Sequence, residues 1–101
     1  GDQMISPAAE AALGDAYAHL NKLDDAVSAF KKAASMADSK ADDDTNNSLS
    51  PVFLIKAGEI LESQNKKADA LSIYQDVKKK YVNSMLVQSG EIDKYIERAS
   101  N

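Results

Sequence analysis

The stretch Ala12–Phe30, ALGDAYAHLNKLDDAVSAF, decides the fold. It has helical spacing throughout, yet Gly14 sits inside it, where glycine costs roughly 1 kcal/mol relative to alanine. The same pattern returns later in the chain. Ser6-Pro7 recurs as Ser50-Pro51, Gly14 as Gly58, Asn21-Lys22 as Asn65-Lys66, Asp25-Ala26 as Asp69-Ala70, and Phe30 is answered by Tyr74, always 44 residues on. A constant offset across helix starts, turns and core positions marks an internal repeat.

Each copy reads as a helical hairpin. Serine caps free N–H groups, and proline at the first helical position has no N–H to waste. The spacing predicts helices over 7–20 and 23–38 in the first copy, turning at Asn21-Lys22, and over 51–64 and 67–81 in the second. In 23–38, Leu23, Ala26, Val27, Phe30, Ala33, Ala34 and Ala37 form one apolar stripe. Residues 39–49, polar and acidic, read as a solvated loop. Asn83-Ser84 can cap a last helix over about 84–99, with Met85, Ile92, Tyr95, Ile96 and Ala99 facing inward. The domain plan is thus a first repeat over about 6–38, a second over about 50–82, and a closing helix. No strand pattern occurs, and the fold expected is all-α.

Leu13-Gly14-x-x-Tyr17 followed by Ala26-x-x-x-Phe30 resembles the tetratricopeptide repeat. The second copy matches through Gly58, Ala70 and Tyr74, with Ala57 and Leu61 standing where leucine and tyrosine are usual. The resemblance implies two hairpins and a capping helix at the end of a right-handed superhelix. It explains the glycines: the two helices of a hairpin approach closely there. The usual repeat is about 34 residues, so an offset of 44 implies an inserted loop. GDQMISPAAEAALGDAY, LSPVFLIKAGEILES and EIDKYIERAS further resemble the C-terminal half of membrane-anchored tetratricopeptide proteins of Bacteroidetes-type bacteria. Those are similar in plan to repeat proteins that accompany the Sec translocon. This implies a periplasm-facing place in the cell envelope, with a cytoplasmic place as the alternative. It also implies an N-terminal membrane anchor and further repeats outside this chain.

Composition narrows the function. The 101 residues carry a net charge of −4, which argues against nucleic acid and against direct contact with an anionic membrane. There is no cysteine, so thiol catalysis and zinc–thiolate sites are excluded. Asp42, Asp43 and Asp44 lack the mid-loop glycine and closing glutamate of a calcium loop. No cofactor or metal is expected. The Lys78–Lys80 run reads as a solvated helix end.

By the resemblance, the first helix of each hairpin lines a concave surface. Its candidate residues are Ala8, Ala11, Ala12, Asp15, Ala18 and His19, then Val52, Ile55, Lys56, Glu59, Glu62 and Ser63. Lys56 stands alone among acidic groups, so an acidic tail would be repelled, and an apolar or basic segment of a protein partner fits better. Non-catalytic protein binding is therefore the expected function. The alternative is self-association as a homodimer through the alanine-rich first helix. A reading of another class, a small helical enzyme using Glu59 and Glu62, is disfavoured because no nucleophile–base set accompanies them.

Overall fold

The computed structural model describes residues 5–101. Six helices follow in order: α1 Pro7–His19, α2 Leu23–Ser39, α3 Ser50–Ser63, α4 Lys67–Lys80, α5 Met85–Gln88 and α6 Glu91–Ser100. There is no strand among the described residues. The helices pack in sequence, α1 on α2, α2 on α3, α3 on α4 and α4 on α6. The result is two hairpins and a closing helix in a flat body of 47 × 34 × 16 Å.

The two hairpin turns are built alike. Asn21 and Asn65 adopt left-handed backbone, φ 60° and 62°. Asparagine tolerates that conformation better than most residues. It lets the Lys22 N–H reach the Tyr17 carbonyl and the Lys66 N–H the Leu61 carbonyl, both at 2.8 Å. The Asn21 and Asn65 N–H groups bond the carbonyls of Ala18 and Glu62. These paired bonds satisfy the last carbonyls of α1 and α3 in a Schellman turn.

The glycines sit where the helices of a hairpin meet. A Cβ on Gly14 would lie 3.1 Å from the Phe30 ring. On Gly58 it would lie 2.7 Å from Cζ of Tyr74, which is too close to stand without a shift. Ala26 and Ala70 are fully buried on the facing helices. One hydrophobic cluster then runs from α1 to α6 through Phe30, Ala33, Phe53, Leu61, Tyr74, Val77 and Ile92.

Two expectations need correction. The last helix is not continuous from 84 to 99. Gly90, at φ 81°, ends α5 in the left-handed conformation, and α6 starts afresh. The break turns Met85 outward, and it is 79% exposed rather than in the core. The start of α3 also departs from that of α1. Ser6 caps α1 by accepting from the Ala9 N–H at 3.1 Å. Ser50 instead turns inward and donates to Asp38 Oδ1 at 2.6 Å, with the Ala34 carbonyl 2.9 Å away. No side chain caps α3 itself; Asn46 Oδ1 instead accepts from the N–H groups of Ser48 and Leu49 in the turn that leads into it.

The inserted segment is therefore tied down at its base. Asp38, buried at the end of α2, accepts from Asn46 N at 2.9 Å, Ser50 Oγ at 2.6 Å, Tyr81 Oη at 2.6 Å and Lys80 Nζ at 3.1 Å. Asp42, Asp43 and Asp44 stay exposed. Among the described residues no cluster of His, Asp or Glu is gathered as a metal site.

A candidate interaction groove on the first helices of the hairpins

In a helix, residues at i, i+3, i+4 and i+7 share a face. On α3 these are Lys56, Glu59, Ile60 and Ser63; on α1, Asp15 and Ala18 answer them. The structure brings all six together around a cavity of about 310 Å³, with the Phe30 ring of α2 as a further wall. Lys56 Nζ lies 3.6 Å from Asp15 Oδ1 and 5.6 Å from the centre of the Phe30 ring. Both members of that ion pair are about half exposed, so it orients the lysine more than it stabilises the fold. With Asp15 and Lys56 offsetting each other, Glu59 is the one carboxylate lining this cavity that has no ion pair among the described residues.

The other residues expected in this groove lie elsewhere. Ala11 and Ile55 are buried in the core cluster and present no surface. His19 is exposed at the end of α1, and Val52 is exposed at the start of α3, both away from the cavity. Ala8 and Ala12 are exposed on α1 and do not line it. Glu62 is already engaged. Arg98 of α6 grips it with two bonds, Nε to Oε2 at 2.8 Å and Nη2 to Oε1 at 2.5 Å, and the Tyr74 hydroxyl donates to the same carboxylate. The Arg98 bonds hold the Glu62 carboxyl below its ordinary range despite partial burial. A carboxyl kept ionised in this way is the opposite of a poised general acid.

Ile60 and Phe30 were not among the groove candidates. Both look like core residues in a one-dimensional reading, and Phe30 is one: it is buried, and its ring forms the wall of the cavity beneath Lys56. The signal for Ile60 was its place four residues after Lys56.

Arg98 repeats what Lys56 does one hairpin earlier. Each cation comes from a later helix, pairs with a carboxylate on the first helix of the hairpin before it, and lies by an aromatic ring. For Arg98 the ring is Tyr95, 5.1 Å away, itself stacked on Tyr74 with centroids 5.4 Å apart. α6 thus occupies the place of a third hairpin's first helix and closes the stack.

Stacked helical hairpins with a capping helix define the class, an α-helical repeat scaffold. Residues 54–84 match the tetratricopeptide repeat family. Such repeats serve protein–protein interaction. No curated protein and no solved structure matches the chain.

Proposed function

We propose that this chain is a non-catalytic protein-interaction module that holds a partner segment in the groove between α1 and α3. The observation that carries the reading is the lining itself. Ala18 and Ile60 offer an apolar bed above the buried Phe30 ring, and Glu59 offers an unbalanced negative charge at its edge. A segment carrying an aliphatic side chain beside a lysine or arginine complements both. Reversing one charge by Glu59→Lys removes that complementarity without touching the core. Loss of partner capture in Glu59→Lys supports the reading, and unchanged capture counts against it.

The resemblance to membrane-anchored tetratricopeptide proteins supports a place in the bacterial cell envelope as a scaffold or chaperone-like accessory. No helix of the described residues is long and apolar enough to cross a membrane; the N-terminal anchor is what the resemblance implies. In-cell crosslinking of the full-length protein tests this. Recovery of translocon subunits or exported clients supports it, and recovery of cytosolic proteins alone contradicts it.

A second reading rests on a different face. Leu13 is 39% exposed, whereas its repeat mate Ala57 is fully buried; Ala9 is exposed where Phe53 is buried. α3 lies between α2 and α4, while α1 packs chiefly on α2. The open stripe Ala9, Leu13, Ala16, Leu20 would favour pairing of two copies through α1. Mass in solution that rises with concentration, and that returns to monomer in Leu13→Glu, supports this reading. A monomer at all concentrations removes it.

A further inference from the structure

The groove between α1 and α3 already holds a cation of its own. Lys56 reaches from α3 to Asp15 of α1, over the Phe30 ring. The hold is loose. At 3.6 Å the Nζ–Oδ1 contact is too long for a hydrogen bond, and both side chains stay about half exposed. The chain carries a tight version of the same arrangement one step along the stack. There Arg98 holds Glu62 with bonds of 2.8 and 2.5 Å, beside Tyr95, and Tyr74, the repeat mate of Phe30, bonds the same carboxylate.

The charges of the groove do not balance. Asp15, Lys56 and Glu59 are the charged residues of its lining, two acids and one base. One further cation makes the set neutral. Glu59 stands three residues after Lys56 on α3, a spacing that brings two helical side chains within reach of each other. Lys56 therefore has a second carboxylate to turn to when it leaves Asp15. Asp15 is exposed, so an incoming group meets it without disturbing the core.

We propose that Lys56 is a displaceable stand-in for the partner's cation, and that the cation it yields to is an arginine. This rests on the reading of the groove as the binding site. The arginine takes the Asp15 carboxylate with two bonds, as Arg98 takes Glu62, in the place Lys56 now holds. Lys56 swings to Glu59, and both carboxylates are then paired. The aliphatic neighbour of the arginine lies on Ala18 and Ile60. A planar guanidinium grips a carboxylate with two donors at once and stacks on a ring, whereas an incoming ammonium would replace Lys56 like for like. Lys56 thus makes the groove selective for arginine over lysine.

The test is nuclear magnetic resonance on ¹⁵N-labelled protein, titrated with N-acetyl-leucyl-argininamide and, in parallel, N-acetyl-leucyl-lysinamide. It compares wild type, Lys56→Gln, Asp15→Asn, the double variant and Glu59→Lys, all changed at exposed positions. Wild type should bind the arginine probe more tightly than the lysine probe. Lys56→Gln should bind the arginine probe more tightly still, by up to about fivefold, the effect of removing one exposed competing pair. In the Asp15→Asn background the same change should bring no gain. A Lys56→Gln variant that binds no better than wild type overturns the proposal, as does a wild type that does not favour arginine. An equal gain in the Asp15→Asn background also overturns it, since Lys56 is then only a repelling charge. Shifts that vanish in Glu59→Lys while Lys56→Gln changes nothing overturn the displacement and leave the groove standing. No saturable shift in any of the proteins overturns both.

Discussion

The Tyr81 hydroxyl donates to the Asp38 carboxylate at 2.6 Å, joining the end of the second hairpin to the end of the first across 43 residues of chain. Asn46, Ser50 and Lys80 bond the same carboxylate. Four donors on one buried acid fix the base of the inserted loop, the start of α3 and the end of α4 together. Asp38→Asn keeps the shape and loses the charge and two acceptor sites. It should destabilise by about 1–3 kcal/mol, because donors placed around a buried acceptor are left unpaired. Chemical denaturation measures this, and an unchanged midpoint would show the cluster to be idle.

The same cluster sets the pH dependence. Burial pushes the Asp38 carboxyl up, but the bonds from Asn46, Ser50, Tyr81 and Lys80 outweigh it and hold it below its ordinary range. Glu62 is held low chiefly by Arg98. A depressed carboxyl contributes stability that is present above its unfolded value near pH 4 and lost as pH falls through its lower folded value. Tyr74 and Tyr81 are raised, first by burial and then by their bonds to Glu62 and Asp38. Their contribution is complete below about pH 10 and lost as pH rises through the folded values. Melting temperature against pH should therefore be flat between roughly 5 and 9 and fall on both sides, with the acid fall shallower in Asp38→Asn.

The two glycines should differ when replaced. Alanine gains roughly 1 kcal/mol of helix propensity at either site. At Gly14 the new methyl meets the Phe30 ring at 3.1 Å, a contact that a small ring movement relieves. At Gly58 it meets Tyr74 closer than 3 Å, and that ring is held by Glu62 and packed on Tyr95. Overpacking of this kind costs about 1–3 kcal/mol. Gly58→Ala should lower the melting temperature well below that of Gly14→Ala. Equal values would mean that Tyr74 is free to move.

Arg98 closes the stack through a two-pronged grip that lysine cannot reproduce. Its side chain is half exposed, so solvent weakens the pair, and Arg98→Ala should cost about 1 kcal/mol. Arg98→Lys should recover only part of that. Amide hydrogen exchange in α6 should rise in both variants, and unchanged exchange would remove Arg98 from the closing of the stack.

Within the inserted loop, Asn46 should matter and Asp42 should not. Asn46→Ala removes the two bonds to the Ser48 and Leu49 N–H groups that hold the turn into α3 and should cost about 1 kcal/mol. Asp42→Ala, fully at the surface, should stay within about 0.5 kcal/mol of wild type. The two melting temperatures decide it.

What was legible in the sequence was what the backbone demands twice. Gly14 and Gly58, Asn21 and Asn65, Ala26 and Ala70 stand at one offset because each hairpin needs the same turn and the same close contact. The groove was legible in part. Asp15, Ala18, Lys56 and Glu59 follow from helical spacing. Ala11 and Ile55 were misplaced because one residue turns a helix by about 100°, enough to carry a side chain from groove to core. Asp38 carried no local signal, since its partners Ser50, Lys80 and Tyr81 are brought to it only by folding. The break at Gly90 was written in Ser89-Gly90, but the apolar stripe from Met85 to Ala99 read as one helix.

The most direct test of the central claim is peptide-display selection against the purified protein. Peptides pairing lysine or arginine with a neighbouring leucine, isoleucine or phenylalanine should be enriched, and Glu59→Lys should abolish that enrichment or shift it toward aspartate and glutamate. No enrichment, or the same enriched peptides with Glu59→Lys, would contradict the groove between α1 and α3 as the binding site.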